Sequence, residues 1–227
     1  MIMNLHFFHG ALGSAIDWKN VTDLLSEKYT CFRHEFSGHG LCERELQPNL
    51  NSLVDELAGK VNSSKGKKIV IGYSMGGYVA LQALIEKKID LDGLICLAVK
   101  YNWSDEIAEN ECAQLSDENW LKMKPFLEKS HHNNIHTLQD DTYSILKSIG
   151  NKPITDLDLI SVDIKTLVVR GDSDKMVTKE EAVKMNDALP NSHYLELPET
   201  GHLLGRMDSN LLCKEIINFI DSLDSMN

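Results

Sequence analysis

Two hydrophobic rhythms alternate along the chain. Short apolar or β-branched runs are separated by longer stretches in which apolar residues return every three or four positions. "NLHFFHG" predicts a strand ending in a loop. "SAIDWKNVTDLLSEKY" carries Ile16, Val21, Leu24 and Leu25 at helical spacing, with Ser14 placed to cap the N-terminus. "YTCFRHEF" predicts a second strand and "NLNSLVDELAGKVNSS" an amphipathic helix. "KKIVIGY" is a continuous β-branched run, the pattern of a strand buried on both faces. "MGGYVALQALIEKK" follows as a helix. "LDGLICLAVK", "IKTLVVRG" and "SHYLELP" read as further strands, "KEEAVKMNDALP" as the helix between the last two, and "LLCKEIINFIDSLDSM" as a closing helix.

Strands that alternate with helices of this length imply βαβ units, hence an α/β fold with a parallel sheet of about six strands. Right-handed crossovers then cover both faces with helices, giving three layers. The rhythm breaks between about Tyr101 and Asp163. That stretch is polar, holds "EKSHHNNIHTLQDD", and predicts helical pieces such as "SDENWLKMKPFLEK". It reads as a small helical cap inserted into one domain spanning residues 1–227.

Composition narrows the function classes. A formal net charge of -11 opposes binding to nucleic acid or to an anionic membrane surface. No apolar run approaches the roughly 20 residues that a spanning helix needs. "MIMNLHFFHG" has neither a basic segment nor a small-residue cleavage site, so no signal peptide is expected. The five cysteines (Cys31, Cys42, Cys96, Cys112 and Cys213) are scattered and odd in number, which fits a reducing cytoplasm. Cys31 and Cys96 lie in apolar strand-like runs and are expected in the core.

The chemistry gathers at the predicted C-terminal ends of strands, where open parallel sheets bind ligands. Ser74 lies in "GYSMGG", at the join of a strand and a helix, with Gly72 and Gly76 two residues either side. Such a turn projects a serine hydroxyl clear of the chain, and the glycines avoid collisions with the facing strand and helix. A serine needs a base to act as a nucleophile. His202, in "LPETGHLLG" between the last strand and the last helix, is placed for that role. The base needs an acid to hold its tautomer. "TLVVRGDSDKMV" offers Asp172 and Asp174, either of which equally suits an Asx turn or a helix cap. Backbone donors for an oxyanion are expected from Met75, after the nucleophile, and from Ala11 in "HGALGS".

These segments together resemble the alpha/beta-hydrolase superfamily, and the compact BioH-like and MenH-like carboxylesterase or thioesterase branch within it. "FFHGALGSAIDW" is similar to the family's oxyanion loop, "GYSMGG" to its nucleophile elbow, "GDSDKMV" to its acid loop and "GHLL" to its histidine loop. "FSGHG" is similar to its PGHG loop, with Ser37 in place of the proline. The resemblance implies Asp174 as the acid, completing a triad of Ser74, Asp174 and His202. The chain starts directly at the oxyanion-loop strand, without the family's leading hairpin, so a shorter and wholly parallel sheet is expected.

The implied activity is hydrolysis of a small-molecule ester or thioester through an acyl-enzyme, with no metal or organic cofactor. Ser74 in place of an aspartate argues against epoxide opening and halide displacement. A cofactor-free lyase or acyltransferase on the same triad and a non-catalytic small-molecule receptor are the rival readings. Leu12, Tyr73, Trp103, Trp120, His131 and Leu203 are the candidates for substrate contact, although both tryptophans equally suit anchoring of the cap. "SHHNNIH" lacks a carboxylate or thiolate at matching spacing and reads as a solvated loop, not a metal site.

Overall fold

A computed structural model describes residues 3–44 and 46–224. Six parallel strands form one sheet in the order β2-β1-β3-β4-β5-β6. They are β1 (Met3–Phe8), β2 (Thr30–His34), β3 (Lys67–Tyr73), β4 (Gly93–Leu97), β5 (Thr166–Gly171) and β6 (Ser192–Leu197). Register runs through Leu5 opposite both Cys31 and Ile69, then Ile71 opposite Ile95 and Val169 opposite Leu195. The chain moves outward from β1 to β2 and then crosses back to β3. That reversal opens a crevice beyond the C-terminal ends of β1 and β3.

Side chains alternate across the sheet because successive Cβ atoms point to opposite faces. Phe8, Val70, Cys96 and Val168 face α2 (Leu50–Asn62), α3 (Met75–Ile85) and α8 (Lys179–Ala188) in one core. Phe7, Ile69, Ile71, Ile95 and Val169 face α1 (Lys19–Leu25) and α9 (Ser209–Asp224) in the other. Each such side chain, fully buried, contributes about 1.5–3 kcal/mol. Helix α3 is buried over almost its whole circumference, which matches its lack of a polar face.

Local departures from the expected pattern have physical causes. The helix expected from Ser14 divides into a 3₁₀ turn, Ala15–Trp18, followed by α1. The tighter turn rotates the buried stripe onto Trp18, Val21 and Leu25 and leaves Ile16 and Leu24 exposed. Cys31 is only half-buried, because β2 is an edge strand, whereas Cys96 at the sheet centre is fully buried. The closing helix starts earlier than expected, at Ser209, and the part of it expected beyond Asp224 lies outside the described residues.

Four helices lie between β4 and β5: α4 (Asp105–Ala113), α5 (Asp117–Leu127), α6 (Leu138–Gly150) and α7 (Asp156–Leu159). Helix α6 buries Leu138, Ile145 and Ile149 along one stripe. A Cβ on Gly150 would lie 2.5 Å from the Ala108 Cβ, so this glycine permits the close packing of α6 on α4.

Candidate active site

Ser74 joins β3 to α3 with φ 49 and ψ -116. This backbone conformation costs a non-glycine residue on the order of 1–3 kcal/mol and persists only when the surroundings enforce it. The enforcement is visible. The Ser74 amide donates to the Leu97 carbonyl at 2.9 Å, and the Ser74 carbonyl accepts from the amides of Gly77 and Tyr78. A Cβ on Gly72 would lie 2.4 Å from the Gly77 Cα, and one on Gly76 would lie 2.7 Å from the carbonyl oxygens of Phe8 and His9. Helix, strand and first loop therefore meet at van der Waals limits around one serine. Met75 is the first residue of α3, where an amide has no carbonyl one turn behind it.

The loop after β1 lies against this elbow. A Cβ on Gly10 would lie 3.1 Å from the Ser74 Cβ and 2.8 Å from the Tyr73 ring. The Gly10 carbonyl accepts from the Gly13 amide at 3.1 Å, closing a tight turn over Ala11 and Leu12. Leu12 takes φ 57 within it. The same carbonyl receives the His9 Nδ1 at 2.8 Å, while the His9 Nε2 accepts from the Phe36 amide at 3.1 Å.

At the far side of the crevice, His202 Nδ1 lies 2.8 Å from Asp174 Oδ2. The other oxygen, Oδ1, accepts from the amides of Met176 and Val177 at 2.8 and 3.0 Å. Burial pushes the Asp174 pKa upward, but hydrogen bonds from His202, Val177 and Met176 outweigh it and hold the group below its ordinary value. An ionised acid beside Nδ1 keeps the proton there and leaves Nε2 free to accept. Asp172 does different work. Its carboxylate accepts from the amides of Glu199 and Thr200 at 2.9 and 3.1 Å, clamping the loop that leads to His202. Sequence spacing left the two aspartates equivalent, and their hydrogen-bond partners separate them.

Two supporting residues were not foreseen in these roles. The Tyr73 hydroxyl donates to the His202 carbonyl at 3.0 Å, and the two rings lie 5.4 Å apart. Tyr73, offered for substrate contact, is buried, and its hydroxyl is engaged by the histidine loop. Buried Arg170 donates to the carbonyls of Asp172, Asp174 and Val177, holding the acid loop in shape. An arginine ending the apolar run "TLVV", one residue before "GDSD", is the sequence signal that could have indicated it.

The remaining candidates divide. Leu12 and Trp103 are partly buried and pack against Cys112, Leu115 and Leu146 of the inserted segment. Trp103 also donates its indole N–H to the Lys100 carbonyl. Trp120 is buried on α5, and Leu203 is exposed beside His202. The solvated loop expected over Ser130–His136 is instead anchored. His131 and Asn134 are buried, and both hydrogen-bond to backbone of the loop between β2 and α2. Among the described residues, no cluster of three or more His, Cys, Asp or Glu side chains could hold a metal ion. No helix among them is long and apolar enough to cross a membrane.

The fold and this crevice define a class. The sequence model of the Alpha/beta hydrolase family matches residues 7–210, and the chain belongs to that family. Its relatives include the 2-(acetamidomethylene)succinate hydrolase of Mesorhizobium japonicum, 22% identical across 95% of this chain and 87% of that one. The pimeloyl-[acyl-carrier protein] methyl ester esterase of Wigglesworthia glossinidia brevipalpis is 26% identical across 96% and 93%. Among solved structures, the enol-lactonase of Burkholderia xenovorans superposes with a TM-score of 0.82 at 14% identity, covering 97% of this chain and 92% of that one. MenH from S. aureus gives 0.81 at 19% identity, covering 98% and 94%. These two likenesses are of fold.

Proposed function

We propose that the protein is a serine hydrolase that cleaves a small carboxylic ester or thioester through an acyl-enzyme on Ser74. The observation that carries this reading is the 2.8 Å Asp174–His202 pair on the same sheet edge as a serine held at φ 49. In the reaction, His202 Nε2 takes the Ser74 proton as Oγ attacks the acyl carbon. The amides of Ala11 and Met75 receive the negative charge that develops on the carbonyl oxygen. His202 then returns the proton to the leaving alcohol or thiol. Water, deprotonated by His202, releases the acid from Ser74. Asp174 holds the imidazole in one tautomer and stabilises its cation. Leu12 and Trp103, with the apolar side chains packed on them, supply the surface for the acyl group.

The names of two relatives, a methyl ester esterase and a 2-(acetamidomethylene)succinate hydrolase, support water as the final acceptor. The test is turnover of p-nitrophenyl esters of graded acyl length, wild type beside Ser74→Ala, in oxygen-labelled water. The expected result is loss of about 10⁴-fold or more in the variant, with label in the released acid. Equal rates in the two proteins would refute the role of Ser74. Ser74-dependent release of p-nitrophenol with no labelled acid, the acyl group passing to another acceptor or leaving by elimination, would move the reading to an acyltransferase or a lyase.

A further inference from the structure

The turn that carries Ala11 is gripped from outside its own strand. Its Leu12–Gly13 peptide is held at both ends. The Gly13 N–H bonds the Gly10 carbonyl at 3.1 Å, and the Leu12 carbonyl lies 3.1 Å from the Nε2 of His131. His131 comes from the inserted helical segment, 119 residues further along the chain. Its Nδ1 lies 2.8 Å from the Gly40 amide nitrogen. A backbone N–H can only donate, so Nδ1 accepts, and the ring proton sits on Nε2 and is donated to Leu12. Only the neutral Nε2–H tautomer makes both bonds. Burial holds it neutral, lowering its pKa against the opposing pull of the Leu12 carbonyl and the Asp17 carboxylate. Nearby Asn134 donates to the carbonyls of Gly40 and Cys42, so the segment is fixed independently of His131.

The grip has something to hold against. Leu12 sits at φ 57, a left-handed conformation that costs a leucine on the order of 1 kcal/mol or more. Released, this peptide has a lower-energy alternative, and the Ala11 amide two units upstream moves with it. We propose that His131 is a positioning residue for the oxyanion loop: its Nε2–H holds the Leu12 carbonyl and thereby keeps the Ala11 amide aimed at the crevice. The inference rests on the serine-hydrolase reading for its catalytic consequence, and on the local geometry alone for its structural one.

Glutamine and asparagine separate the two ring nitrogens. His131→Gln places an amide donor near the Nε2 position, and His131→Asn places an acceptor near Nδ1 but falls short of Leu12. Losing a whole oxyanion donor costs about 10²–10³ in rate, so misdirecting one is expected to lower kcat about tenfold to a hundredfold in His131→Asn, with KM changed less than about threefold. His131→Gln is expected to stay within about threefold of wild type in both. Amide exchange at Gly13 is expected to rise about tenfold in His131→Asn and to stay near wild type in His131→Gln. Equal kcat loss in both variants, or none in His131→Asn, would overturn the proposal. Should wild type show no Ser74-dependent turnover, the hydrolase reading fails, and Gly13 exchange alone then decides whether His131 holds the loop.

Discussion

Lowering the pH from about 7.5 to about 5.5 is expected to destabilise this protein strongly, through histidines and not carboxylates. His6, His9, His39 and His131 are all buried to within 1% of complete. Burial, with Lys68 nearby, lowers His6 to about 4. Burial, against a hydrogen bond to the Ser37 carbonyl, lowers His39 to about 4. Burial likewise takes His9 well below its ordinary value and lowers His131. Half-buried His34, which hands its Nε2–H to His6, falls to about 3. The sign follows from which state binds the proton. Below the unfolded value of about 6.5, the unfolded chain takes up protons that the folded chain refuses, so stability is full above that pH and falls beneath it. One pH unit below it, each refused proton costs about 1.4 kcal/mol, and the four refused by His6, His9, His34 and His39 cost about 5–6 kcal/mol, comparable to the ~5–15 kcal/mol by which domains are stable. Asp17, Glu35 and Asp141 act in the opposite sense, because burial raises their pKa values, and they offset part of the loss as the pH falls toward the carboxylate range. The assay is urea unfolding followed by the fluorescence of buried Trp18, at about pH 7.5, 6.5 and 5.5. The unfolding free energy is expected to drop by about 4–6 kcal/mol, most of it between the last two points. A value constant to within about 1 kcal/mol would refute the reasoning and mean that these histidines titrate in the folded protein.

Three further outcomes are expected of the site. Asp174→Asn lowers kcat by about 10⁴-fold, as the amide favours the wrong histidine tautomer, whereas Asp172→Asn lowers it by about tenfold through a loosened loop; the reverse ranking in ester turnover would exchange their roles. Tyr73→Phe removes the hydroxyl that holds the His202 carbonyl and costs about 1 kcal/mol in a urea titration, with a lower kcat and an unchanged KM; a higher KM with unchanged stability would return Tyr73 to substrate contact. Gly76→Ala drives a methyl to within 2.7 Å of two carbonyl oxygens and is expected to destabilise the fold by about 3 kcal/mol or more; a melting temperature within a degree of wild type would contradict the packing described at the elbow.

Much of this protein was decided close to home along the chain. Apolar periodicity alone set the order of strands and helices, because the spacing of apolar residues fixes which local geometry gathers them on one face. The serine between glycines announced the elbow for a similar reason: the turn's backbone angles and the Gly72–Gly77 approach belong to a few consecutive residues, although Gly76 is also required by the Phe8 and His9 carbonyls of the first loop. Other features depend on groups far apart in sequence. Asp172 and Asp174 look alike in a loop, and what separates them is that one meets the amides of Glu199 and Thr200 and the other meets His202. Nothing in the sequence around Tyr73 or His131 shows that each binds a backbone carbonyl more than a hundred residues away. Histidines met singly in a polar-looking sequence became a buried set only when the first loop, the loop after β2 and the inserted helices closed on one another. A side chain's type and spacing state what it can bond to. Which carbonyl or amide arrives within 3 Å is decided by the packing of the whole sheet and its insertion.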